Sequence, residues 1–114
     1  MALDIVFKHP AALRKYRCNP FFVLLEGYCQ WLLNQRHART TICCKIFHIR
    51  VLTNYLVRQG VTVPAGISWE HIQRFLGTWL RRYCGPQGGM GGQRKVIRYS
   101  VASFCRYLTA NGVI

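Results

Sequence analysis

Apolar residues recur along this chain at helical spacing, and the repeat is stopped twice by the same local chemistry. Ile42, Ile46, Ile49, Leu52 and Leu56 recur at helical spacing and end at Gly60-Val61, while Ile97, Val101, Phe104 and Leu108 end at Gly112-Val113. A glycine in the left-handed position after a helix lets the next apolar residue fold back over the last turn, here Val61 over Leu56, which is a Schellman ending. Helices are therefore predicted over residues 40–59 and 93–111. Leu25, Tyr28, Cys29, Leu32 and Leu33 define another over residues 20–36, opened by Asn19-Pro20, a capping residue followed by a proline whose missing N–H costs nothing there. The remaining helix, third in chain order over residues 68–83, carries Ile72, Phe75, Leu76, Trp79, Leu80 and Tyr83. Ser68 is its expected N-cap, Glu70 favours its first turn, and Ile67 is positioned to staple against Ile72.

Between these helices the chain shows little period. Residues 1–18 contain the basic run Arg14-Lys15-Tyr16-Arg17 and read as an N-terminal arm, with the packed unit spanning residues 19–114. Val61 to Ile67, with Pro64 and Gly66, read as a linker. The run Gly85-Pro86-Gln87-Gly88-Gly89-Met90-Gly91-Gly92 reads as a flexible loop, because glycine and proline are both poor in a helix interior. It lacks the GK[ST] ending and the G-x-G-x-x-G pattern of phosphate-cradling loops. No strand is required, and 114 residues suffice for one small core and not for two. The predicted fold class is all-α, a compact four-helix bundle preceded by a basic arm.

Charge narrows the function. There are 16 Lys and Arg against three acids, Asp4, Glu26 and Glu70, giving a formal net charge of +13. Such a chain repels itself unless a polyanion supplies counter-charge, and nucleic acid is the first to consider. The basic residues are mostly Arg and are spread along the chain, unlike the clustered Lys of membrane-surface helices, and no apolar stretch approaches the roughly 20 residues that span a bilayer. Neither membrane insertion nor export is expected, which suits a cytoplasmic protein with reduced thiols. The six cysteines and four histidines form no paired metal-ligand spacing, so neither metal nor cofactor is expected. With three acids in all, no acid pair or Ser-His-Asp set is apparent, and Tyr99 and Tyr107 lack an evident constellation for nucleophilic attack. No catalytic residue is assigned.

Placing residues at about 100° per step puts the apolar positions of the last helix within about 60° of one another. Arg94, Lys95, Arg98, Tyr99 and Arg106 then occupy an adjoining arc of about 140°. No acid occurs in that helix, so the salt bridges of an ordinary solvated face are unavailable, and phosphate binding is the expected use. The second helix offers Arg39, Thr41, Cys44, Lys45 and His48 around its first two turns, near an N-terminus that itself attracts anions. Thr40 or Thr41 caps that helix, with or without a phosphate contact.

The order of these segments is familiar. Phe22-x-x-Leu25-x-x-Tyr28, then Arg39-Thr40-Thr41-Ile42 opening a helix that closes on Leu56 and Gly60-Val61, then Ile67-Ser68 with Ile72-x-x-Phe75-Leu76, and finally Val101 with Phe104-Cys105-Arg106-Tyr107-Leu108 and Gly112-Val113-Ile114, together resemble the N-terminal core-binding domain of tyrosine recombinases, the phage-type integrases. The resemblance covers residues 20–114. It implies a SAM-like four-helix fold forming half of a clamp on duplex DNA, with its second and fourth helices crossing the major groove. It also implies a bacterial or mobile-element setting, a parent enzyme assembling on DNA as a homo-oligomer, and a catalytic domain that would follow residue 114. Carried over by position, Arg39, Thr41, Lys45, His48, Arg94, Lys95, Arg98, Tyr99 and Arg106 are the expected DNA contacts, most of them to phosphate. Family members often carry an aromatic where Lys45 stands and an apolar residue near Arg98. A stand-alone architectural DNA-binding protein and a helical protein-interaction module are the alternatives.

Overall fold

The computed structural model describes residues 2–80 and 91–114, the side chains of 91–94 excepted. Among these residues there are six helices and no strand: α1 (Ala2–Val6), α2 (Pro10–Arg17), α3 (Phe22–Asn34), α4 (Arg39–Arg58), α5 (Trp69–Arg74) and α6 (Gly91–Ala110). The fold class is all-α, as the helical repeat requires. Helix α4 packs against both α3 and α6, and α1 packs across α3 and α4. The predicted stripes supply the core. All five apolar positions of α4 and Ile97, Val101, Phe104 and Leu108 of α6 are buried, as are Leu25, Tyr28, Cys29 and Leu32 of α3. Each such side chain gains about 1.5–3 kcal/mol relative to exposure, so burial outweighs helix propensity here. Tyr28 is wholly buried and donates its hydroxyl to Ser103 Oγ at 2.9 Å, which ties α3 to α6.

The first 18 residues are not an arm. They form α1 and α2, and Ala2, Leu3, Val6 and Tyr16 enter the core. A five-residue helix is unstable alone and gives no sustained period to read. α1 forms because its apolar face is buried and because the Glu26 carboxylate, reaching from α3, accepts the backbone N–H groups of Ala2 and Leu3 at its positive end. In α2, Pro10 occupies the first turn and the His9 ring accepts the Ala11 N–H at 3.2 Å. Arg17 pairs with Asp4 at 3.2 Å, joining the two helices.

Helix starts differ from expectation more than helix stops. Asn19 is not the cap of α3, which starts after Phe21; its Oδ1 accepts the Phe21 N–H at 2.8 Å in a turn, and its Nδ2 donates to buried Thr53 Oγ1 at 2.9 Å. Tertiary bonding has claimed the capping side chain. Ala38, with no side-chain cap, precedes α4, so neither Thr40 nor Thr41 caps it. Ser68 does cap α5, accepting the His71 N–H at 3.3 Å, and Ile67 and Ile72 are both buried beside it. That helix runs on as a π-helical turn over Phe75–Trp79, and the linker before it contains a 3₁₀ turn, Pro64–Gly66. Residues 81–83 of the predicted third helix and 85–90 of the predicted loop lie outside the described residues. Gly91 and Gly92 belong to α6, where a first turn escapes much of the cost glycine incurs in a helix interior.

Both predicted Schellman endings are present. Gly60 has φ +84° with Val61 N–H bonded to Leu56 C=O at 2.9 Å, and Gly112 has φ +71° with Val113 N–H bonded to Leu108 C=O at 2.9 Å. A third closes α3 without glycine: Arg36 has φ +61°, and His37 N–H reaches Leu32 C=O at 3.3 Å. A left-handed L-residue costs about 1–2 kcal/mol. Arg36→Gly is therefore expected to stabilise the fold by about 1 kcal/mol in urea unfolding, and no gain would mean that the arginine is unstrained there.

Candidate nucleic-acid interface

Thr41, Lys45 and His48 stand four and three residues apart on α4, on the flank of its buried stripe. Across from them α6 presents Val96, Tyr99 and Ser100. Together with Thr40 and Cys44 these residues line an open groove of about 290 Å³. The groove is pinned at its floor, where His48 Nδ1 and Ser100 Oγ share a hydrogen bond of 2.8 Å. Tyr99 is 62% exposed at its edge. Lys45 is half-buried, and burial, followed by the Arg106 guanidinium, lowers its pKa. That influence puts Lys45 in the field of Arg106 across the two helices.

Nothing anionic relieves this field within the groove, whose lining contains no carboxylate. Each of the three acids is engaged elsewhere: Asp4 with Arg17, Glu26 with the amides of α1, and Glu70 with Arg74. The α4–α6 face therefore carries positive charge without a counter-charge of its own.

The expected contact residues separate into three groups. Thr41, Lys45, His48 and Tyr99 come together in the groove, and exposed Lys95 and Arg106 share the outer ridge of α6 with Tyr99. Arg39 and Arg98, both exposed, are tethered to backbone carbonyls. Arg39 Nε donates to the Val6 carbonyl at 2.8 Å, and an Arg98 amino group donates to the Leu76 carbonyl at 3.1 Å. Arg98 and Arg106 also border a second groove, about 680 Å³, between α5 and α6, with Ile72, Leu76, Val101 and Cys105 among its lining residues. The side chain of Arg94 lies outside the described residues. Sequence reasoning missed Ser100, whose position three residues after Ile97 and four before Phe104 was the available signal of a polar group at the edge of the core.

His48 and Ser100 have the contact distance of a base and a nucleophile. Ser100 is only 2% exposed, and no carboxylate lines the groove to orient the imidazole, so the pair fastens α4 to α6. Among the described residues no group of three or more His, Cys, Asp or Glu is placed to hold a metal, and no helix is long and apolar enough to cross a membrane. No protein-family description, curated protein or solved structure matches this chain.

The burial of His48, and then the charge of Lys45, lower its pKa below the ordinary 6.5. The neutral imidazole is thus favoured in the fold, while the unfolded chain binds the proton more readily. Stability from this group is present above pH 6.5 and is lost as the pH falls below it. Urea midpoints are expected to decline on acidification below that value, and less so in His48→Gln. Equal declines in the two proteins would assign the pH dependence to other groups.

Proposed function

We propose that this chain is a duplex-DNA-binding module of the core-binding type found in tyrosine recombinases, gripping the phosphate backbone with the α4–α6 face. The observation that carries the reading is the pairing of Lys45, Lys95 and Arg106 with an open, hydroxyl-bearing groove that no carboxylate lines. The helices concerned are those that the resemblance assigns to the major groove. Phosphate contacts fix register and orientation without reading sequence, so affinity for random duplex is the first property to expect. In this reading strand cleavage belongs to a separate catalytic domain, and further copies assemble beside this one on the DNA.

Fluorescence anisotropy with a random-sequence duplex over a series of salt concentrations tests the reading. Log affinity falls by about 0.9 per decade of salt for each phosphate neutralised. Three cations in contact give a slope of about −2.7, and further contacts make it steeper. Absence of binding at low salt would overturn the proposal and favour a protein-interaction module.

A further inference from the structure

A second cationic face lies on α4, about 140° around its axis from the first. Phe47, Arg50, Asn54 and Arg58 stand three or four residues apart and form a stripe about 16 Å long. Two recesses meet along this stripe, sharing Arg50, Asn54 and Arg58. One, about 330 Å³, runs between Phe47 and Trp79; the other, about 400 Å³, extends towards Lys15 on α2. No acid lines either recess.

The two ends of the stripe have different chemistry. Phe47 is 45% exposed, which leaves part of its ring open to a ligand. Trp79 forms the opposite wall and is held by its ring stack on Phe75, centroids 5.1 Å apart. Arg50 is held too, its guanidinium 5.8 Å from the centre of the Tyr16 ring. Arg58 and Lys15 are exposed. Aromatic faces beside held and exposed cations suit a strand whose bases are free to stack, whereas a duplex keeps its base faces inside the helix.

We propose that this face binds unpaired nucleic acid, with a base stacked on Phe47 in the recess walled by Trp79 and the adjoining phosphates along Arg50, Arg58 and Lys15. The site rests on the same nucleic-acid premise and shares no residue with the duplex-binding face, the one ring contact between them being Phe47 edge-on to His48 at 6.0 Å. Stacking on one aromatic is worth about 1–3 kcal/mol, so loss of the ring is expected to weaken binding about 10-fold.

The test measures the affinity of the full chain for a fluorescein-labelled oligothymidylate and, separately, for a random-sequence duplex. Phe47→Leu, which keeps the apolar bulk and removes the π face, is expected to weaken oligothymidylate binding about 10-fold and leave duplex binding within about twofold. Phe47→Trp restores the first, Arg58→Ala weakens it, and Lys45→Ala affects the duplex alone. Circular dichroism checks that each variant is folded. Oligothymidylate affinity indifferent to Phe47→Leu and Arg58→Ala, or falling in step with the duplex in Lys45→Ala, would overturn the second site. So would absence of oligothymidylate binding, with duplex binding still supporting the first face. Oligothymidylate binding that depends on Phe47 without any duplex binding would support this site and remove the reading of the α4–α6 face.

Discussion

A chain carrying Lys45→Ala, Lys95→Ala and Arg106→Ala together is expected to bind random-sequence duplex about 500-fold more weakly at 0.1 M salt than the parent, with both affinities converging near 1 M. The magnitude follows from counter-ion release. Three phosphate contacts at about 0.9 each contribute about 2.7 decades between those salt concentrations. The salt slope should become shallower by the same 2.7, approximately, which separates lost phosphate contacts from a general loss of folded protein. Lys95 and Arg106 are exposed and Lys45 is half-buried in the company of another cation, so their removal leaves the core intact. A triple variant that keeps the parental slope would show that the duplex is gripped elsewhere.

Gly27→Ala is expected to destabilise the fold by about 3 kcal/mol, against the helix-propensity gain of about 1 kcal/mol that alanine normally gives over glycine. A Cβ at Gly27 would stand 2.1 Å from the Tyr107 hydroxyl oxygen. The Tyr107 ring has little freedom to retreat, because its centroid lies 5.7 Å from that of Tyr28, 5.9 Å from Trp31 and 6.3 Å from Phe104. For a chain of this size the loss corresponds to a melting temperature lower by about 10–15 °C. Tyr107→Phe in the same chain removes the clashing oxygen and leaves 3.2 Å to the nearest ring carbon, so most of the loss should be recovered. A Gly27→Ala protein as stable as the parent would mean that the tyrosine is not seated over α3.

What the sequence reveals follows the range of the interactions involved. The endings at Gly60 and Gly112 were legible because a Schellman motif closes within six residues and glycine marks its left-handed position. The same ending at Arg36 was invisible because its residue carries no such mark. The N-terminal helices were missed for a related reason: α1 is fixed by Glu26, and no local pattern points to a carboxylate two dozen positions away. In the candidate interface, helical spacing placed Thr41, Lys45 and His48 on one flank of α4, but their meeting with Tyr99 depends on the packing of α4 against α6. The spacing gave no warning that Arg39 and Arg98 would be held by the carbonyls of Val6 and Leu76, since long side chains choose partners across elements. Nor did it show His48 almost enclosed, at 7% exposure, because that depends on how closely α6 approaches.

The way the chain spends its few carboxylates has a consequence for its behaviour in solution. Glu26 fastens α1 to α3, Asp4 fastens α1 to α2, and Glu70 braces α5 from within. All three carboxylates are committed to contacts within the chain, two of them at its surface, and the uncompensated charge is cationic. The folded molecule is then itself a multivalent counter-ion, one with a fixed shape. Under the proposed reading, its rivals on a phosphate polymer are magnesium and the polyamines, and the dilution of the small ions it displaces supplies the drive for docking.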